Sequence, residues 1–304
     1  EWAPAALSAS LVGDFNEWDA STHICQCDGE GVHSLFLRDT PDGAWAITPG
    51  CRYKVALLVR RCGTARRVLA VPAWARCCVQ DAMSGDLCAV VPAADISTYA
   101  WRFARPPPPT SLRIYEVHPG IASPEPTISG WRYLRTCVLP RVVSLGYTAL
   151  LLLAVLEHGY YASFGYHVTS YFAPSARFGE PQELAQLIDE AHRHGLLVLV
   201  ELVHAHASAN TREGLPQDEE GGAYFLGGSA GHHPVWGSRL FDYSKTEVVR
   251  FLLANLHWFA SAYRVDGFRF DAVSTILYRH RSLGAKGSFS GEYEAYFGPR
   301  RGVE

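Results

Sequence analysis

No stretch of this 304-residue chain is apolar for long enough to cross a bilayer; the run at residues 148–156 is only strand-sized. No Cys-x-x-Cys pair occurs, and neither Cys25-x-Cys27 nor Cys77-Cys78 has the spacing of a zinc site. The eight cysteines, seven of them before residue 100, therefore read as free thiols of a reducing compartment, with disulfides as the alternative. Charge of either sign is scarce. A formal net charge of -3 gives no electrostatic case for nucleic acid or an anionic membrane as the main partner. The chain opens Glu1-Trp2-Ala3-Pro4, without methionine or a targeting segment, so the expectation is a piece of a longer protein.

Hydrophobic residues, by contrast, are plentiful. They make up 48% of the chain against 19% charged, enough core for one large domain and a smaller one. Eight tryptophans and fifteen tyrosines suit a carbohydrate binder, because sugar faces stack on aromatic rings, and equally an ordinary rich core.

Residues 1–104 read as all-β. Strands are expected over 11–18, 53–60 and 67–71, separated by Gly/Asp/Pro-rich turns, and that spacing suggests a β-sandwich. The proline run at 106–109 makes residues 105–110 a stiff linker. From residue 111 to 304 the pattern changes to strand, helix, strand, helix. Strands are expected over 112–118, 147–156, 196–203 and 265–273. Helices are expected over 131–145, interrupted near Pro140, over 181–194, stopped by Gly195, and over 246–263. Four such units imply a parallel sheet, either doubly wound or a (β/α)8 barrel. No glycine-rich phosphate loop follows the first strand, which counts against a nucleotide-binding fold.

In both folds function sits beyond the C-terminal strand ends. Those ends carry Glu116 and His118, then Glu157, His158 and Tyr166, then Glu201, His204 and His206, then Arg269 and Asp271. Period-two alternation in Val265-Asp-Gly-Phe-Arg-Phe-Asp-Ala-Val273 puts Arg269 and Asp271 on one face. A guanidinium two residues behind a carboxylate favours its ionised form, which suits a nucleophile rather than a proton donor. The alternative is a structural pair closing a strand end. His204-x-His206 has its own rival: paired imidazoles could hold a metal with His118, His158 or Asp271, as in a TIM-barrel metal hydrolase. Otherwise His204 is structural and only His206 reaches the cleft.

The runs LEHGYYASFGYHVTSYFAPSARFG (156–179), VHAHASAN (203–210), VDGFRFDAV, LRIYEVHPGI (112–121) and LVGDFNEWD near the N-terminus resemble eukaryotic 1,4-α-glucan branching enzymes of the α-amylase superfamily. The resemblance covers nearly the whole chain. It implies a glucan-binding β-sandwich over residues 1–104, of the carbohydrate-binding module 48 type, followed by the first half of an α-amylase-type (β/α)8 barrel. It implies Asp271 as nucleophile, Arg269 as the partner that orients it and keeps it ionised, and Tyr166 and His206 as substrate-binding residues. Glu157 is a further cleft candidate, and Trp2 and Trp18 are candidates for glucan binding by the sandwich. The implied partner is an α-glucan polymer, glycogen or starch, handled by a monomer without metal or organic cofactor, in the cytoplasm or the plastid stroma. Three positions depart from the family: Glu201 stands for Asp, Ala272 for Gly, and Gly237 for Asp.

Residues 111–304 fall short of the roughly 250 residues of a barrel. The family's proton-donor glutamate follows the fifth strand and is not found. Glu292 and Glu294 read as loop carboxylates. The chain alone is therefore expected to be inactive in branching and to self-associate through the open edge of its fourth strand. A non-catalytic α-glucan-binding protein is the alternative of a different class.

Overall fold

Val55, Leu57 and Val59 alternate inward along Arg52–Arg61, which forms the centre of an antiparallel sheet. It pairs with Ala6–Gly13, with Thr64–Ala70 and, at its first residues, with Leu87–Val90; Cys78–Gln80 completes the sheet beside the last of these. A second, two-stranded ladder, Gln26–Cys27 with His33–Ser34, is linked to Ala6–Gly13 through the Ser10–Ile24 bridge. The computed structural model describes every residue except 40, 44, 62, 82, 217–222, 279, 282–292 and 298–304.

The strand expected over 11–18 is corrected: extended chain ends at Gly13. One 3-10 turn, Asp14–Asn16, follows, and Glu17 and Trp18 lie in the left-handed region. Local polar side chains decide this. Asn16 accepts from the Gly13 N–H at 2.9 Å, and the Trp18 indole donates to Asp14 at 3.1 Å. All seven described cysteines are free thiols.

The segment leaving this domain is tied to the next. Asp189, fully buried, accepts from the backbone N–H groups of Arg102 and Phe103, both at 3.1 Å, and from the Arg102 guanidinium at 2.8 Å. Residues 105–109 carry no regular secondary structure.

Beyond it, four parallel strands pair in sequential order: Ile114–Val117, Ala149–Leu152, Leu197–Leu202 and Gly267–Phe270. A doubly wound sheet reverses direction at a switch point, whereas sequential neighbours are what a barrel requires. The third strand is buried almost throughout because it has neighbours on both edges and helices behind it. The helix Pro181–Arg193 opens with proline at its first position and a Glu180/Glu183 capping box, and inserts Leu184, Leu187 and Ile188 into the core. Thr246–Ala262 buries Val248, Phe251, Leu252, Trp258 and Phe259. Among the described residues no helix is long and apolar enough to cross a membrane.

Three expectations needed adjustment. The interruption near Pro140 is a wide turn at Leu134–Val138 inside an otherwise continuous helical stretch; proline lacks an N–H, and the wide turn makes room for its ring. The strand expected over 147–156 breaks after Leu152, because Ala154 turns left-handed, and Leu156–Glu157 then pairs antiparallel with Ser170–Pro174. The fourth strand ends at Phe270. Asp271 lies one residue beyond it, Ala272 is left-handed with φ 52°, and the helix Val273–Leu277 begins at once.

Candidate active site at the strand ends

Register aligns Glu201 of the third strand with Arg269 of the fourth, and their side chains form an ion pair. The Tyr166 hydroxyl, from the loop after the second strand, donates to the Glu201 carboxylate, 3.3 and 3.4 Å from its two oxygens. Asp271 is seated by its own N–H, which donates to the Leu202 carbonyl at 3.1 Å. Burial, followed by the negative charge of Asp271, raises the Tyr166 pKa; Arg269 opposes this and Glu116 adds to it. Tyr166, Glu201, Arg269 and Asp271 thus converge at one rim, with the Glu116 charge felt there too.

One expectation fails in sign. Burial raises the Asp271 pKa by more than Arg269 and the Ala272 N–H lower it. The reason is visible in the pairing: Arg269 spends its charge on Glu201, and its side chain is 43% exposed to water.

Glu157 is also corrected. It is 1% exposed, and its carboxylate is taken up by neighbouring protein groups. Its carboxylate accepts from the N–H groups of His158 (2.9 Å) and Ala176 (2.7 Å) and from Ser175 Oγ (3.1 Å), and the Arg177 guanidinium lies 3.6 Å away. Arg177 also donates to the carbonyls of His158 and Gly159 and to Gln80 of the N-terminal sheet. Together the two residues staple the root of the Tyr166 loop to both domains. His118 holds the same loop from the other side. Its Nδ1 accepts from the Gly120 N–H at 3.1 Å, which leaves Nε2 to donate to the Phe164 carbonyl at 3.2 Å.

The two histidines of the third-strand motif diverge. His204 Nε2 meets the Asn255 side chain at 2.7 Å, inside the core, and burial lowers its pKa to about 4. His206 does not stand open in the cleft: it is 3% exposed and lies beneath Trp236, ring centroids 5.0 Å apart. Its Nδ1 has no partner, and burial depresses its pKa to about 3. Trp236 in turn stacks on His233 at 3.8 Å. Among the described residues no three His, Cys, Asp or Glu side chains are grouped as metal ligands.

Trp2 packs edge-on against Tyr224 at 5.3 Å, with its indole donating to the Glu30 carbonyl, so it serves the domain junction rather than an open platform. Trp18 is half-buried, held by Asp14. Glu292 lies outside the described residues, and Glu294 is exposed in the short helix Tyr293–Tyr296. Sequence reasoning gave no role to Arg177 or Trp236, because neither ends a strand; Arg177 stood only as part of the 156–179 run, and Trp236 carried no signal.

A family model, carbohydrate-binding module 48 (isoamylase N-terminal domain), matches residues 1–75. A Yarrowia lipolytica protein named 1,4-alpha-glucan-branching enzyme is 43% identical over 301 residues, 98% of this chain and 43% of that protein. A Saccharomyces cerevisiae protein of the same name is 44% identical over 309 residues, 97% and 43%. The Arabidopsis thaliana protein named 1,4-alpha-glucan-branching enzyme 2-2, chloroplastic/amyloplastic, is 43% identical over 307 residues, 100% and 37%. Among solved structures, the Group B Streptococcus pullulanase SAP superposes with TM-score 0.71 at 20% identity, covering 89% of this chain and 40% of that one. The catalytic module of the pneumococcal factor SpuA gives 0.69 at 18%, covering 88% and 44%. The fold is therefore a carbohydrate-binding-module β-sandwich followed by four strands of an α-amylase-type barrel. The chain spans less than half the length of the curated relatives it matches.

Proposed function

We propose that this chain, a relative of the 1,4-alpha-glucan-branching enzymes along nearly its whole length, contributes the nucleophile half of a glucan-branching active site. Asp271 attacks the anomeric carbon of an α-1,4-linked glucan. The bond to the leaving 4-oxygen breaks as a glycosyl–Asp271 ester forms, and the 6-hydroxyl of a second chain then displaces Asp271. The observation that carries this reading is the seating of Asp271 just past the fourth strand, beside the Tyr166–Glu201–Arg269 group. Within that group Glu201 receives the Arg269 cation and the Tyr166 hydroxyl and so fixes both, while Tyr166 presents its ring edge-fixed to the sugar. His206, dry and neutral beneath Trp236, contacts substrate only if Trp236 swings away.

The proton for the leaving oxygen needs a second carboxyl roughly 5–5.5 Å from the nucleophile. Glu201 is ion-paired and Glu157 is sealed, so the reading assigns the donor to a residue outside the four strand–helix units. The test is Asp271→Asn in the full-length protein. New α-1,6 linkages, counted by NMR of the anomeric protons, are expected to fall by about 10⁴-fold or more, with maltoheptaose affinity nearly unchanged. Branching near the wild-type rate would remove Asp271 from the mechanism.

A further inference from the structure

Between Asp42 and Asp81 the chain has no acidic residue against seven lysines and arginines, although its net charge is -3. The fold absorbs three of the seven. Arg52 pairs with Asp14 and Asp81, Arg76 pairs with Asp95, and Lys54 is buried. The others belong to one hairpin, made by Arg52–Arg61 and Thr64–Ala70. Among the described residues Arg60, Arg66 and Arg67 are exposed and form no ion pair; Arg67 reaches only the field of Asp19.

Thr64–Ala70 is also an open sheet edge. It pairs with Arg52–Arg61 on one side; on the other, among the described residues, no backbone group meets its outward N–H and C=O groups. Such a row is a template for a further strand. Register fixes the side chains that flank it. Arg67 lies opposite Leu58 and Leu69 opposite Ala56, so both share a face with Arg60. Arg66, opposite Val59, and Val68, opposite Leu57, share the other face. Each face of the edge therefore carries a guanidinium and, two residues on, an apolar side chain, of which Leu69 is 42% exposed.

We propose that this edge docks an extended acidic segment of another protein, which joins the sheet as a further strand with carboxylates beside Arg66 and Arg67 and apolar residues beside Val68 and Leu69. Three observations select that occupant. The unpaired row of backbone groups fits a peptide strand rather than a compact anion. The cations on both faces lack acidic partners, so opposite charges across the new ladder stabilise it. A second copy of this chain is the wrong partner, because pairing edge to edge brings four arginines together. The charge that guards the edge against its own kind thus selects what it accepts. Nothing in this docking depends on the rim about Asp271.

Fluorescence anisotropy on the whole chain reads the binding of a labelled peptide of two glutamates followed by two valines, flanked by threonines, and of its lysine counterpart. The glutamate peptide is expected to bind roughly tenfold tighter or more. The double variant Arg66→Glu, Arg67→Glu, both positions exposed and the unfolding midpoint checked first, should invert that preference. Two further glutamate peptides are N-methylated on alternate amides, one on the odd set and one on the even. Methylation keeps the charge and blocks the ladder, so one of the two should lose roughly tenfold. Amides within residues 64–70 should exchange more slowly in the complex. Absence of binding by the glutamate peptide, or equal binding by the lysine peptide, would overturn the docking site. So would full affinity of both methylated peptides, unchanged amide exchange, or equal affinity for a short polyphosphate, each of which means a patch for anions of any shape.

Discussion

Two guanidinium–carboxylate pairs within the barrel, Glu157–Arg177 and Glu201–Arg269, use the same chemistry to opposite ends. In the first, both carboxylate oxygens accept protein N–H or O–H groups, and the Arg177 side chain is only 18% exposed. In the second, Glu201 is as deeply buried, but its contacts are one cation and one phenol, and Arg269 opens to solvent. A closed pair is a staple. An open pair at strand ends, next to a half-buried Asp271, has bonding capacity left for a ligand. The difference lies in the number of backbone donors aimed at the carboxylate, two against none.

The comparison breaks most sharply by truncation. Glu157→Ala should cost about 3–5 kcal/mol in urea unfolding, because it leaves the charge of the largely buried Arg177 without a carboxylate and two N–H groups without an acceptor. Glu201→Ala should cost only about 1 kcal/mol, since Arg269 turns to water. Equal losses would mean that the rim pair is a staple as well.

Acid titration sharpens the same contrast. His158, bonded into the Glu157 staple, His204, bonded to Asn255 in the core, and His206, beneath Trp236, have pKa values lowered by burial to about 4, 4 and 3. The unfolded chain takes up these protons below about pH 6.5 while the fold refuses them. Stability is therefore lost as pH falls from there toward 4, by up to about 1.4 kcal/mol per pH unit for each histidine. Glu157 and Asp271, both raised by burial, act oppositely: the fold binds their protons more tightly, so acidification through their range favours it. Urea midpoints from pH 7.5 to 4.5 should fall with a slope that His204→Gln reduces. A flat profile would show that these rings are not sealed in solution.

The smallest effect concerns the turn behind Asp271. Ala272 occupies the left-handed region, where a Cβ is strained, at a position where glycine is usual in the resembling enzymes. Ala272→Gly should stabilise the chain by about 1 kcal/mol with the rim unchanged. A loss of stability would mean that the Ala272 methyl makes packing contacts worth more than the strain.

Much of this was legible in the chain. Period-two runs before the prolines and strand–helix alternation after them announced two architectures, and the VDGFRFDAV run announced a carboxylate at the fourth strand end. Strand boundaries were less so, because short polar devices such as the Asn16 turn and single left-handed alanines end a strand without any change in hydrophobic pattern.

What the sequence determined by itself was which side of its own element each residue faces, since that follows from the local backbone period. Only the tertiary structure decided what lies on the other side. It sealed Glu157 with donors from residues 175–177, laid Trp236 over His206, and joined Arg269 to Glu201 in an ion pair while its charge still reaches Asp271. Burial and pairing depend on neighbours remote along the chain, and burial is what turned the Asp271 pKa upward against the expectation from its nearest cation.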